Sequence, residues 1–242
     1  MIQLNKVTKR YGRVAALKEV SLHIGKGSVT YLVGPNAAGK STLIKILLGL
    51  VRPSGGSISI AGIELNGSYD YKKMIGYMPQ IASFPDNLNV GEIFDMLKEI
   101  RNEKELTDTE LIEKFGIEKD FNKKLKHLSG GTKQKVNAAL AFAFDPEILI
   151  LDEPTAGLDP YASSILKQKI KDENGKGKTV VFTSHILKDL EELASNIVFL
   201  LNGAVVYSGN ISELAVDNKN NKEEAVIKLM KDFVYENDYE NN

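Results

Sequence analysis

The sequence predicts an α/β fold: a parallel sheet covered by helices, with an N-terminal antiparallel β subdomain and a helical subdomain inserted part-way along. Three observations carry that expectation. Runs rich in β-branched residues alternate with helical patterns through most of the chain, as strand–helix–strand units do. One strand, Ser28–Val33, leads into a glycine-rich loop and then into helical sequence over Leu43–Leu50. At about residues 83–144 the β character gives way to helical periodicity.

Taken in order, apolar alternation places early strands near Ile2–Thr8, Val20–Ile24 and Val29–Val33. Arg52 to Ile63 reads as a turn and a short hairpin, with Pro53, Gly55 and Gly56 as breakers, and Ile75–Met78 as a further strand. Within Val90–Ile100, the residues Ile93, Phe94, Leu97 and Ile100 share one helical face. Thr107-x-x-Glu110 has capping-box form ahead of Leu111, Ile112 and Phe115. A strand at Ile148–Leu151, a helix near Tyr161–Asp172 and a strand at Thr179–Thr183 follow. A helix near Leu187–Ala194, a strand at Ile197–Leu201 and a hairpin at Asn202–Gly203 complete the core. From Asp217 the chain turns Asn-, Lys- and Glu-rich. There Ala225, Val226, Leu229 and Phe233 fit one more amphipathic helix, and the last few residues are expected to be disordered. The expected division is one domain over 2–216 and a C-terminal helix and tail over 217–242.

Composition narrows the function. The chain has 242 residues, 43% hydrophobic and 26% charged, enough for a sizeable core. A net charge of -1 gives no basic face for nucleic acid. With no cysteine, disulfides, thiolate zinc sites and Cys nucleophiles are excluded. The opening MIQLNKVTKRYG lacks a secretory pattern, and no apolar run approaches the ~20 residues of a membrane span. Any role at a membrane is expected to need a partner.

Gly34-Pro35-Asn36-Ala37-Ala38-Gly39-Lys40-Ser41 fits G-x-x-x-x-G-K-[ST], and Thr42 follows. A chain of this length meets that pattern by accident about one time in a hundred. Here it also lies between a strand and a helix, as phosphate binding requires: glycine lets backbone N–H groups turn inward, and the helix N-terminus faces the anion. Lys40 is expected at the β- and γ-phosphates and Ser41 at Mg²⁺. The result is a P-loop NTPase (RecA-like) core.

Ile148-Leu149-Ile150-Leu151 ends in Asp152 and Glu153. Acids often end strands, but with the P-loop upstream Asp152 is expected to hold Mg²⁺ and Glu153 to orient or deprotonate water. His185 closes the run Thr179–Ser184, where a neutral imidazole can reach the γ-phosphate; His23 and His127 have no such context. Ser129-Gly130-Gly131-Thr132 reads as an N-cap and helix start, either a simple cap or a second anion site. If both termini serve one γ-phosphate, the second comes from another subunit.

Tyr11, GPNAAGKST, Gln80, LSGGT, ILILDEP, GLDP and His185 occur in the order and spacing of ABC ATPase domains, a resemblance over about residues 2–210. The resemblance implies a head-to-tail homodimer, with ATP between the P-loop of one chain and the Ser129–Gly131 segment of the other. It implies a separate transmembrane permease subunit and a place on the cytoplasmic face of the cell membrane. Tyr11 would stack on adenine, although a plain strand tyrosine fits too. Gln80 would touch Mg²⁺ and the attacking water, and Asp159 would communicate across the dimer, although a turn Asp before Pro160 reads as well. Two residues depart from the pattern: Ala37, expected to need only an ordinary φ, and Thr132, where Gln is usual.

Glu153, His185 and Lys40 are the expected catalytic residues. Soluble translation ATPases of this group carry two such domains, repair ATPases a long coiled coil, and regulatory forms lack Glu153 or His185; none of these fits. For cargo, Ile75–Leu88 and LSGGTKQKV with Ala138–Phe142 resemble ATPases of the copper-processing transporter for nitrous oxide reductase maturation. A drug, lipid or polysaccharide exporter is the alternative.

Overall fold

The computed structural model describes residues 1–67, 69–216 and 221–239. In chain order its elements are β1 (Ile2–Tyr11), β2 (Val14–Ile24), β3 (Val29–Val33), α1 (Lys40–Leu47), β4 (Gly55–Ile60), β5 (Ile63–Glu64) and β6 (Ile75–Met78). There follow α2 (Val90–Arg101), α3 (Glu110–Phe115), α4 (Gly130–Phe142), β7 (Ile148–Asp152), α5 (Pro160–Gly175) and β8 (Thr179–Thr183). The chain ends with α6 (Leu187–Leu193), β9 (Asn196–Leu201), β10 (Ala204–Asn210), α7 (Ile211–Val216) and α8 (Lys222–Tyr239). They pack as two units, Met1–Lys72 with Thr183–Asn242, and Lys73–Phe182. The tail positions 217–220 and 240–242 lie outside the described residues, and with them the expectation of a disordered end.

The first unit holds an antiparallel sheet in the order β2-β1-β4-β5. Ile2 and Leu4 of β1 are buried opposite Ile24 and Leu22 of β2, and opposite Ile60 and Ile58 of β4. The next buried residue is Val7, so the alternation skips one position. A bulge explains this: the register shifts between Leu4 and Val7, with Lys6 at φ 47° and Glu19 at φ 49°. Each bulge inverts side-chain parity. That is why alternation places the ends at Thr8 and Val20, whereas pairing continues to Tyr11 and starts at Val14. Gly56, expected as a breaker, lies inside β4 at φ 84°, where a Cβ would come 2.4 Å from the Lys6 carbonyl. The β4–β5 turn is Ala61–Gly62 at φ 53° and 82°, and the β9–β10 turn is Asn202–Gly203 at φ 48° and 82°. Two residues with positive φ suit the twist of a tight hairpin.

The same unit carries the strand order β10-β9-β3. β9 runs antiparallel to β10 and parallel to β3, with Thr30 opposite Asn196 and Val33 opposite Phe199. All five residues of β3 are buried, and α1 buries Leu43, Ile44, Ile46 and Leu47, each worth ~1.5–3 kcal/mol. In α8, Ala225, Val226 and Leu229 are buried, and Phe233 meets Phe199 edge-on at 6.0 Å.

In the second unit β7 lies between β8 and β6, and β6 runs parallel to β7 with Ile75 opposite Ile148 and Met78 opposite Leu151. The unbroken apolar run Ile148–Leu151 is wholly buried, as a central parallel strand requires. The helices of the insertion are α2, α3 and α4. At the start of α2, Glu92 accepts the Asn89 N–H at 2.7 Å, a capping contact that sequence reasoning missed. At its end the Arg101 guanidinium donates to the Lys73 and Ile75 carbonyls, both at 3.0 Å, and lies over the Phe144 ring.

The expected Thr107–Glu110 capping box does not form. Thr109 is the N-cap of α3, and the Thr107 N–H goes to the Ala143 carbonyl at 2.9 Å. Glu110 cannot reach back, because Lys114 (2.6 Å) and Lys169 (2.7 Å) hold its carboxylate. Lys169, 1% exposed in α5, pairs also with Asp108 and, at 2.9 Å, with Glu173. Glu173 is fully buried and bonded to Lys176 at 2.7 Å and to Lys178. This ionic cluster fastens the start of α3 to α5.

Candidate functional site

The Gly34–Thr42 segment lies in the first unit, where β3 hands over to α1. Gly34 has φ 156°, and a Cβ there would sit 2.2 Å from the Leu200 carbonyl. Gly39, the N-cap of α1 at φ 106°, would place a Cβ 2.7 Å from the Ala16 carbonyl and 2.8 Å from Leu17 Cδ2. Both motif glycines are thus demanded by neighbouring backbone as well as by their own dihedrals. The loop is braced further: the Ala38 N–H donates to the Pro35 carbonyl at 3.2 Å, and the Gly203 N–H donates to the Ala38 carbonyl at 3.0 Å. Lys40 curls over it, its Nζ donating to the carbonyls of Gly34 (2.6 Å) and Pro35 (3.0 Å). That posture places the ammonium at the mouth of the loop. Asn36, Ala37 and Ser41 are exposed.

Ala37 is a correction. It stands at φ 63°, in the left-handed region, and not at the ordinary φ expected of it. The loop must reverse within four residues, and Ala37 takes one of the reversing positions despite its Cβ.

Tyr11 ends β1 and is 47% exposed, with Lys9 Nζ 4.9 Å from its ring centroid. His185 is exposed in the turn after β8. Sequence reasoning missed the residues that hold this turn. Before His185, the Tyr31 hydroxyl donates to the Ser184 carbonyl at 2.7 Å. After it, the Ile186 N–H donates to Ser184 Oγ at 3.0 Å, and Ser184 Oγ donates to buried Asp189 at 2.9 Å. Polar residues inside otherwise apolar runs were the available signal.

The second unit holds the remaining candidates. Asp152 is the last residue of β7, half-buried; burial, with its carboxylate close by, raises the Tyr77 phenol pKa. Glu153 is 6% exposed and, like Ala37, left-handed at φ 54°. Gln80 is exposed in a bend two residues beyond β6. Ser129 caps α4 as expected, its Oγ accepting the Thr132 N–H at 3.2 Å, and Gly130 has open space where a Cβ would be. The Gly131 position allows a Cβ only at 3.3 Å from the Gly157 carbonyl.

Asp159 caps α5, accepting the Ala162 N–H at 2.8 Å, and its other oxygen accepts from Lys135 of α4 at 2.9 Å. Those bonds, the Lys135 one foremost, lower its pKa. The Ser129 helix and the Asp159 turn are therefore joined within this unit by Lys135, a residue that sequence reasoning did not single out.

The strand–loop–helix over Val29–Leu47, feeding from a parallel strand, defines the P-loop NTPase class. A family model described as ABC transporter matches residues 17–156. The lantibiotic transport ATP-binding protein SrtF of Streptococcus pyogenes is 36% identical, covering 88% of this chain and 95% of its own. The linearmycin resistance ATP-binding protein LnrL of Bacillus subtilis is 32% identical, over 88% of this chain and 70% of its own. A solved ATP-binding subunit of an ABC transporter is similar with TM-score 0.87 at 28% identity, covering 96% of this chain and 100% of its own. A dimeric ATP-binding cassette, captured post-hydrolysis with ADP and Pi, gives 0.77 at 28% identity over 87% and 98%. The chain belongs to the ABC transporter family, as an ATP-binding subunit, and it is an ATP hydrolase.

Proposed function

We propose that the chain powers export through a separate transmembrane permease subunit, by head-to-tail closure of a homodimer on ATP. The observation that carries the reading is the braced Gly34–Ser41 loop, tight enough that neither motif glycine can take a side chain. Among the described residues no helix is long and apolar enough to cross a membrane. Dimer closure is supported by the dimeric relative bound to ADP and Pi. In this reading the protein works at the cytoplasmic face of the cell membrane.

Lys40 and backbone N–H groups at the start of α1 bind the phosphates, Tyr11 stacks on adenine, and Ser129–Gly131 and Asp159 act on the nucleotide held by the partner. Glu153 orients the attacking water and takes its proton, and His185 holds the γ-phosphate. Ser41, Gln80 and Asp152 would hold Mg²⁺; they offer a hydroxyl, an amide oxygen and a carboxylate, the hard oxygen donors that this ion takes. Bound there, Mg²⁺ would neutralise phosphate charge. Once the γ-phosphate is cleaved, the contacts to the opposite Ser129 segment are lost and the dimer opens.

The export reading follows the relatives, which are named for lantibiotic transport and linearmycin resistance. Neither name concerns copper, so the copper-processing cargo expected from Ile75–Leu88 ranks second. The test is tagged Glu153→Gln protein, purified from its native membranes with ATP and Mg²⁺. It is expected to turn over at least about a hundredfold slower, to elute as a dimer and to bring down a polytopic membrane protein. Near-normal turnover would remove Glu153 as base. Recovery of ribosomes or soluble proteins alone would end the transporter reading.

A further inference from the structure

We propose that Asn137 and Gln134, two amides buried in α4, are positioning residues for Gln80 that couple it to the Ser129–Gly131 segment of the same chain. The proposal rests on the reading of Gln80 and Ser129 given above. Asn137 is 3% exposed and Gln134 5%, on a helix that otherwise buries Val136, Ala138, Ala139, Ala141 and Phe142. Polar groups in such surroundings are costly unless they hydrogen-bond, so their targets are informative.

Asn137 Nδ2 donates to the Pro79 carbonyl at 2.8 Å and to Gln134 Oε1 at 3.3 Å. Pro79 immediately precedes Gln80 and has no N–H, so its carbonyl is its one main-chain handle. Because a peptide is planar, gripping that oxygen fixes the plane from which the Gln80 side chain departs. The other end of the same helix is capped by Ser129. Asn137 lies eight residues along, about two turns and ~12 Å, in an unbroken helix of 13 residues. A shift of the Pro79–Gln80 peptide therefore reaches Ser129–Gly131 through a stiff rod.

A further observation points the same way. Gln134 Nε2 is buried with no hydrogen-bond partner, while its oxygen receives Asn137. A lone donor beside a gripped carbonyl is a cost that a second arrangement can remove. Gln80 serves the nucleotide on its own chain and Ser129 the one held by the partner, so this link makes the two ATP sites cooperative.

The experiment is steady-state ATP hydrolysis, with melting temperatures, for wild type, Asn137→Leu, Gln80→Ala and the double variant. Leucine keeps the branched shape of the Asn137 side chain and deletes the donor. Asn137→Leu is expected to lower kcat about tenfold with KM within about twofold, and to bring the Hill coefficient for ATP towards one. In the Gln80→Ala background it is expected to cost less than about twofold more, since both act through one group. Unchanged kcat in a folded Asn137→Leu, or an equal loss in both backgrounds, overturns the proposal. If Asn137→Leu does not fold, Gln134→Leu replaces it: this change removes both the unpaired amide donor and the oxygen that receives Asn137, and kcat is expected to fall in a protein that still melts cooperatively. Wild-type kcat in that variant also overturns the coupling. Glu153→Gln in the same assay separates the two readings. Normal turnover there removes the underlying mechanism, whereas its loss beside a normal Asn137→Leu removes the coupling alone.

Discussion

Ala37 and Glu153 share a left-handed backbone, at φ 63° and 54°, that glycine adopts freely and other residues resist. For Ala37 the Cβ penalty is ~1–2 kcal/mol, part of which is recovered because alanine restricts the unfolded chain by ~0.4–1 kcal/mol. Ala37→Gly is therefore expected to stabilise the protein by about 0.5–1 kcal/mol, raising the melting temperature by about 2 °C in a calorimetric scan. A lower melting temperature would show that the methyl group packs favourably. At this scale position was legible: Lys40 and Ser41 open α1, Asp152 ends β7 with Glu153 next, and His185 follows β8, as their neighbours in the sequence imply. Backbone conformation was not, because φ at Ala37 and Glu153 is set by how the chain must turn around them. Nor were Tyr31 and Asp189, whose partners at Ser184 lie far along the chain or in the next helix.

Between elements, the Lys169 cluster stands out. Burial opposes the charge on Glu173, yet hydrogen bonds from Lys176, Lys178 and Lys169 hold its pKa down to about 2, against an ordinary 4.5. A carboxylate lowered in the fold contributes its full stability above about pH 4.5 and loses it as pH falls towards about 2. Lys169 is shifted upward by Asp108, Glu110 and Glu173 in spite of desolvation, so its share is full below 10.5 and fades only at strongly alkaline pH. In acid denaturation, Glu173→Gln is expected to flatten the stability curve between pH 4.5 and 2; an unchanged slope would place the acid sensitivity elsewhere. Lys169→Met strands buried carboxylates and is expected to cost about 3–5 kcal/mol in urea unfolding. The elements these residues join were read well where period was unbroken, as in β6, β7 and β8. They were misread where a local pattern met a distant competitor: Thr107-x-x-Glu110 has the form of a cap, but Lys169 claims its glutamate. Bulges likewise hid half of β2.

For the whole molecule, motif order along the chain pointed to the ABC transporter family, to which the chain belongs. Cargo left no such trace in the sequence, since an ATPase subunit need not touch what its permease carries. The compact units divide at Lys73 and Phe182. The helical insertion, read at about residues 83–144, lies inside the second unit together with β6, β7 and α5.

The two hairpin turns illustrate how one backbone geometry serves opposite ends. Ala61–Gly62 and Asn202–Gly203 have nearly the same φ pair, yet nothing lies within 4 Å of a Cβ at Gly62, whereas one at Gly203 would meet the Ala16 carbonyl at 2.8 Å. Gly203 also donates to Ala38 in the phosphate loop. A short Gly-Ser peptide spliced between Ala61 and Gly62 is expected to leave ATP hydrolysis within about twofold of wild type, because loop length is cheap at an open turn. The same splice between Asn202 and Gly203 is expected to abolish it; equal activity in the two would show that the brace is dispensable. The first turn is thus a port for a fluorescent tag or a fused domain, and the second is a strut under the Gly34–Ser41 loop.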